Sequence, residues 1–177
     1  VIFIFLFSVY GCSPTGLIAS GGATTMVVAE GDRSLGTVVD DATIKLNISA
    51  KFIKSNKDLF VNINSNVIEG RVLLTGIVDI QQTRIDAVRT VWEIEGVNEV
   101  INEIEIGDQT TIKEYANDIW INTQIKSLAA KTIGLRFLSY NFETIRGKVY
   151  IAGITSRPEQ LQSIIEISKT VKGVKEI

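Results

Sequence analysis

The sequence predicts an α+β fold in which one αββαβ unit is used twice in tandem. Two observations predict it. A shift of 77 residues lays 41–100 on 118–177 without a gap, with 14 identities in the 60 pairs. Within each copy, apolar residues recur first at helical spacing, then in alternation, then at helical spacing again. The identities fall where a fold is shaped. Asp41 meets Asp118, Ile44 meets Ile121, and Ile48 meets Ile125. "GRVLLTGI" (70–77) meets "GKVYIAGI" (147–154), and "EGVNEV" (95–100) meets "KGVKEI" (172–177).

Each element follows in order. The first helix opens at an Asp expected to act as N-cap, with Ile44, Ile48 and Phe52 on one face in the first copy and Ile121, Ile125 and Leu128 in the second. Two strands come next, "LFVNINSNVIEG" and "RVLLTGIV", with a turn at Glu69-Gly70; their counterparts are "RFLSYNFETIRG" and "KVYIAGIT". Gly70 and Gly147 suit the positive φ of a tight hairpin, and Gly76 and Gly153 suit a bulge or a close helix approach. In the second helix Ile85, Val88, Val91 and Trp92 mark an apolar face, matched by Leu161, Ile164, Ile165 and Ser168. Trp92 therefore reads as core. Gly96 and Gly173 read as C′ glycines that end this helix. A last strand, "VNEVINEIEI", alternates at period two, and its counterpart has only begun at Ile177. Each copy is expected to pack two helices on one face of a small mixed three-stranded sheet, the second with a stunted third strand.

The remaining chain lies in front. "VIFIFLFSVYG" (1–11) is apolar but far shorter than the roughly 20 residues a membrane-spanning helix needs; it has the length of a signal-peptide h-region. It starts with Val and lacks a basic n-region, so the chain reads as incomplete at this end, as the stunted strand suggests at the other. The one cysteine of the chain, Cys12, follows directly. A buried thiol, a nucleophile and an attachment point are all open at this stage. Residues 13–39, rich in Gly, Ser, Thr and Ala, read as a flexible tether. The boundaries expected are 1–11 for the h-region, 12–39 for the cysteine and tether, 40–107 for the first repeat and 115–177 for the second.

Composition narrows the function. Apolar residues make up 45% and charged residues 21% of the 177, as in a globular protein. The net charge of −2 gives no footing for nucleic-acid binding. The chain has no histidine, so the commonest general base and metal ligand is missing. Carboxylates are scattered, no Ser or Lys sits in a nucleophile motif, and Asp40-Asp41 is better explained as helix capping. The glycines follow strands in hairpins and do not open a helix, so they form no phosphate loop. No catalysis, no metal and no cofactor are expected.

The αββαβ unit, with Gly-x-Val-x-(Leu/Ile)-x-Gly in its hairpin and a late Gly-Val, resembles the BON domain. Val9-Tyr10-Gly11-Cys12 resembles the bacterial lipobox, with Tyr10 a less usual occupant of the variable position. Two such repeats behind a lipobox resemble the dual-BON-domain lipoproteins of the Gram-negative outer membrane, in particular the division- and outer-membrane-stress-associated lipid-binding lipoprotein family. "DRSLGTVVDD", "NEVINEIEIGD" and "NDIWINTQIKS" carry the local likeness, which covers about residues 9 to 177. The resemblance implies that Cys12 is lipidated and becomes the mature N-terminus, and that Ser13 directs the protein to the outer membrane. The protein would face the periplasm from the inner leaflet, engage anionic phospholipid through the first helix of the second repeat, and support envelope integrity. The family's tryptophan falls on Trp120 and its basic position on Lys126. Gln124 stands where the family has a lysine, which weakens the electrostatic half of the site.

The residues themselves support this asymmetry between repeats. On a helical wheel Trp120, Gln124, Ser127 and Lys131 share a stripe beside the apolar face. The matched stripe of the first repeat, Thr43, Asn47, Ala50 and Lys54, is ordinary. Over the matched windows the first repeat has 7 basic and 8 acidic residues, net −1, and the second 9 and 5, net +4. The phospholipid site expected is Trp120, Gln124, Lys126, Ser127 and Lys131. Two alternatives for Trp120 stand beside it: a core position in a rotated register, or a seal between the repeats. The alternative function is a periplasmic protein–protein or stress module that docks on envelope partners without direct lipid binding.

Overall fold

The computed structural model describes residues 35–55 and 57–177. The expected h-region, Cys12 and most of the tether lie outside them. The first helix, α1 (Leu35–Ser55), begins within the stretch read as tether, ahead of the boundary expected at residue 40. It is followed by α2 (Lys57–Asn62), β1 (Ile63–Ile68), β2 (Arg71–Val78), α3 (Gln81–Trp92) and β3 (Glu99–Ile106). The second unit holds α4 (Ile112–Ile133), a 3₁₀ turn (Gly134–Ser139), β4 (Tyr140–Ile145), β5 (Lys148–Gly153) and α5 (Pro158–Lys169). β1 and β2 are antiparallel and β2 and β3 parallel, a mixed three-stranded sheet. β4 and β5 form the matching hairpin, and the third strand of that sheet is represented by one parallel bridge, Lys148 to Glu176.

One expectation fails in an informative way. Asp41 and Asp118 do not cap helices; both lie inside them, buried. The Asp41 carboxylate accepts the backbone N–H of Glu69 and of Gly70, each at 2.9 Å. Asp118 accepts those of Arg146 at 2.7 Å and Gly147 at 2.9 Å. These are the two central residues of each hairpin turn, and all four have positive φ: 52° and 74° in the first, 51° and 85° in the second. That is the type I′ conformation favoured between twisted strands. It points successive N–H groups to one side, where the carboxylate receives them. The carbonyls of Gly70 and Gly147 in turn accept the N–H of Asn98 and Lys175, at 2.8 Å, at the entry to the third strand. Burial pushes the Asp118 carboxyl above its ordinary value, against the opposite pull of its two N–H donors.

Three further expectations shift. Residues 59–62 are a helical turn, not the start of a long strand: Leu59 and Ile63 are buried while Val61 between them is exposed, a spacing of four. The 3₁₀ turn occupies the corresponding place in the second unit. Gly96 and Gly173 lie beyond the helix ends, in tight turns closed by Val97 N–H to Ile94 and Val174 N–H to Val171, and not at C′. Gly76 and Gly153 sit in uninterrupted ladders, so neither makes a bulge. A Cβ on Gly76 would lie 2.1 Å from the carbonyl of Asn62, and one on Gly153 2.6 Å from the Tyr140 ring, so the close approach is to the residues that lead into each hairpin.

The helices of each unit cover one face of its sheet. Ile44, Ile48 and Phe52 meet Leu59, Ile63, Val72, Leu74, Ala87 and Val91 in the first core. Ile121, Ile125 and Ala129 meet Tyr140, Phe142, Val149 and Ile164 in the second. The large residue has moved between copies: Phe52 with Ser65 in one becomes Ala129 with Phe142 in the other, which keeps the core filled. Trp92, expected in the core, is half exposed, and Ala87 and Val91 take the buried face of α3.

The other faces of the two sheets meet each other. Leu73, Ile77, Ile145 and Tyr150 form an apolar cluster between them. Asn64 and Asn66 of β1 donate to the two oxygens of Glu143 on β4. Lys148 binds Glu103 of β3 at 3.2 Å and lies over the Tyr150 ring; the Glu103 bond is the main reason its pKa is raised. The order of layers is helices, sheet, sheet, helices. This explains why β2, flanked on both faces, reads as a nearly continuous apolar run, whereas β3 alternates.

Asp41→Asn and Asp118→Asn should each lose one of two charge-assisted bonds and turn an amide N–H against a turn N–H. A loss of about 2–3 kcal/mol is expected, against almost none for the exposed neighbour Asp40→Asn, as read by urea denaturation.

Candidate functional site

α4 is the helix on which the expected site falls. Thr111 caps it: its hydroxyl accepts the N–H of Glu114, and the Glu114 carboxylate accepts the N–H of Thr111, a complete capping box. The backbone N–H and the hydroxyl of Thr111 both donate to the Glu114 carboxylate and hold it below its ordinary value. The Asp118 clamp then fixes the rotation of the helix against the hairpin, with Asp118, Ile121, Ile125 and Ala129 turned inward. What faces outward follows from the 100° step of the helix.

Trp120 is 45% exposed, which rules out a fully buried core position. Gln124 is half-buried, and Ser127 and Lys131 are exposed on the same stripe. Lys126 is exposed but is not with them. Six residues after Trp120, it falls about 120° around the helix. There it lines a groove of about 420 Å³ with Lys45, Phe60, Asn64, Asn141 and Glu143, between the two units. The expected set is therefore two surfaces, Trp120 with Lys131 on one and Lys126 on the other, joined across the outer ridge of one helix.

That ridge carries residues the sequence reading passed over. Tyr115 is 63% and Ile119 49% exposed, and Ile112 is more so. Ile112 and Ile119, seven apart, turn away from the buried face, and Tyr115 lies nearer that face, on the flank toward the first unit. The signal was present in the sequence as apolar residues left over once the buried face had been assigned. Lys113, Lys126 and Lys131 accompany them, all exposed. The ridge pairs apolar and aromatic side chains with ammonium groups on a helix that needs none of them for its core. Such a surface suits an interface that is apolar at one depth and anionic at another.

Other places offer less chemistry. A cleft of about 500 Å³ opens between the sheets and is lined by Leu73, Ile101, Tyr150 and Ile177 among others; no expected site residue lines it. Among the described residues no group of His, Cys, Asp or Glu is placed to hold a metal ion, and no helix is long and apolar enough to cross a membrane.

A profile of the BON domain matches residues 40–108 and 117–177. The chain is 41% identical over 140 residues to the "uncharacterized protein in gshII 5′region" of Anaplasma centrale, covering 78% of this chain and 91% of that protein. It is 28% identical over 176 residues to the outer membrane lipoprotein DolP of Haemophilus influenzae, covering 94% and 86%. It is 29% identical over 147 residues to the 21 kDa hemolysin of Actinobacillus pleuropneumoniae, covering 82% and 75%.

The capping box gives a testable pH dependence. A carboxyl whose folded value lies below 4.5, the ordinary one, contributes its full stability above that value and loses it as the pH falls through the folded one. NMR titration of Glu114 should show a midpoint below that of an unstructured glutamate. Thr111→Ala should return it toward 4.5 and destabilise the domain by about 1 kcal/mol.

Proposed function

The chain belongs to the BON domain family, and from that premise we propose that it is a lipid-anchored protein of the outer membrane that faces the periplasm. In this reading Cys12 carries the anchor, and α4 of the second domain contacts anionic phospholipid. The observation that carries the reading is Trp120, 45% exposed on a helix that also exposes Tyr115, Ile119 and three lysines. Its likeness to an outer membrane lipoprotein over 94% of the chain supports the location.

The division of labour follows from magnitudes. An acylated N-terminus supplies the bulk of membrane affinity, roughly 0.8 kcal/mol per buried CH₂. The tether then holds α4 near the bilayer, so its own contact can be weak and still be occupied. Each lysine near an anionic surface adds about 1 kcal/mol, and the indole of Trp120 prefers the headgroup layer, where its ring is apolar and its N–H hydrated. Contact of that strength is reversible and sensitive to lipid charge. The second domain would thereby bias which regions of membrane the anchored protein occupies. The net charge of +4 on the second repeat window against −1 on the first supports the choice of domain.

Two measurements test this. Mass spectrometry of the mature N-terminus from an envelope preparation should find a lipidated Cys12; an unmodified thiol overturns the anchor. Residues 35–177 should bind vesicles rich in phosphatidylglycerol more tightly than phosphatidylcholine vesicles, and Trp120→Glu should reduce that binding several-fold with an unchanged circular dichroism spectrum. Equal binding to both vesicles, or no effect of the substitution, would leave the docking of an envelope protein as the better account.

A further inference from the structure

A second apolar projection lies on the first domain. The helical turn α2 buries Leu59 but leaves Phe60 47% and Val61 66% exposed. Nothing in the first core needs these two side chains, and they are adjacent at the end of their layer. Their neighbours are on α4. Val61 and Tyr115 line one groove of about 250 Å³, and Phe60 and Lys126 line the next, of about 420 Å³. Tyr115, Ile119 and Lys126 fall in one row of α4, four and seven residues apart, so this row runs alongside the α2 turn. The seam between the sheets holds the two together: both Glu143 oxygens are bound by Asn64 and Asn66, the residues that follow α2.

Charge is arranged along the same line. Lys45 of α1 and Lys126 of α4 are exposed in the groove beside Phe60. The acids of the two grooves are engaged, Glu143 by the asparagine amides and Asp118 by the turn N–H groups. The opposite corner of the first domain is different. There Asp40, Glu69 and Glu95, all exposed, line a shallow groove. The first domain thus has an apolar end flanked by lysines next to α4 and an acidic end away from it.

We propose that both domains contribute to one membrane-contact surface, in which Phe60 and Val61 of α2 enter the anionic interfacial layer beside Tyr115 and Ile119 on the near flank of α4, while Trp120 enters it from the neighbouring face of the same helix. This rests on the reading of α4 as a membrane-contact helix and extends it to the first domain. The occupant is the headgroup layer of an anionic bilayer. Two exposed apolar side chains between ammonium groups match that layer, and the acidic corner would be held away from it by repulsion.

Fluorescence quenching by phosphatidylglycerol with bromine on the acyl carbons nearest the headgroup separates this inference from the reading beneath it, because bromine there quenches indoles that enter the interfacial layer and not those held away from it. The full chain with Trp92→Phe leaves Trp120 as the one indole and reports on α4. Adding Trp120→Phe with Phe60→Trp reports on α2, and Trp120→Phe with Glu95→Trp reports on the acidic corner. The expected result is quenching of Phe60→Trp within about twofold of Trp120, with Glu95→Trp unquenched. Trp120 quenched but Phe60→Trp no more quenched than Glu95→Trp would overturn the shared surface and leave the α4 reading standing. Trp120 unquenched would remove both. In parallel, Val61→Asp should weaken vesicle binding several-fold at unchanged circular dichroism and unchanged urea midpoint; full binding by this variant also counts against the proposal.

Discussion

The fold turns on a buried carboxylate that holds a strained turn. A two-residue hairpin with positive φ at both central positions is costly for Glu69 and Arg146, which carry side chains. Asp41 and Asp118 offset that cost by accepting both N–H groups the turn exposes. The consequences propagate. The turn fixes the register of the hairpin, and register decides which side chains face the helices and which face the other sheet. The carbonyl of the same glycine receives the third strand. One helical residue thereby locks helix, hairpin and parallel strand at a single corner, and the chain does this twice.

With register fixed, the two faces of each sheet separate into different tasks. Ile63, Val72 and Leu74, and their partners Tyr140 and Val149, fill the cores under the helices. Leu73, Ile77, Ile145 and Tyr150 fill the seam. The seam is polar at its edges, where Glu143 and Lys148 find partners across it. Its apolar centre removes water, and its charged groups set which way the sheets can meet. A slip of one residue in either hairpin would exchange core for seam, so the Asp clamp acts on domain docking as well as on each domain.

The duplication was legible because its identities sit where backbone geometry demands a residue type: Asp under the turn, Gly in it, Gly where another backbone approaches. The αββαβ order and the hairpin turns at Glu69-Gly70 and Arg146-Gly147 followed from that pattern and from hydrophobic period. The role of Asp41 and Asp118 was not legible. An Asp ahead of an apolar helical run is a cap by local rules, and only the long-range partner, 28 residues on, shows otherwise. α2 was missed because "LFVNIN" is as compatible with a strand as with a helical turn, and tertiary packing of Leu59 decides between them. Trp92 was misplaced because Ala87, a small residue with little weight in an apolar pattern, takes the buried position. On α4 the wheel put Trp120 beside the apolar face, as its exposure bears out, whereas Lys126, which the family resemblance and not the wheel set with it, turns to a different side.

The layer order also limits what the protein can touch. The inner faces of both sheets meet in the seam, apart from the cleft of about 500 Å³ at Leu73, Ile101 and Tyr150, and the rest of the surface is the outer helix faces and the ends of the layers. Of the outer helices, α4 is the one that exposes a tryptophan and a tyrosine, on neighbouring sides, together with several lysines. α1 exposes Leu46 and Ile53 without an aromatic residue, and α3 exposes Trp92 in a helix followed by Glu93 and Glu95. An anionic surface would be attracted by the first and repelled by the last. Because α2 continues the ridge of α4 across the seam, the end of the molecule that bears Phe60 and Tyr115 is where apolar area and positive charge coincide. The seam therefore does more than hold two copies of a fold together: it sets the turn of one domain beside the helix of the other.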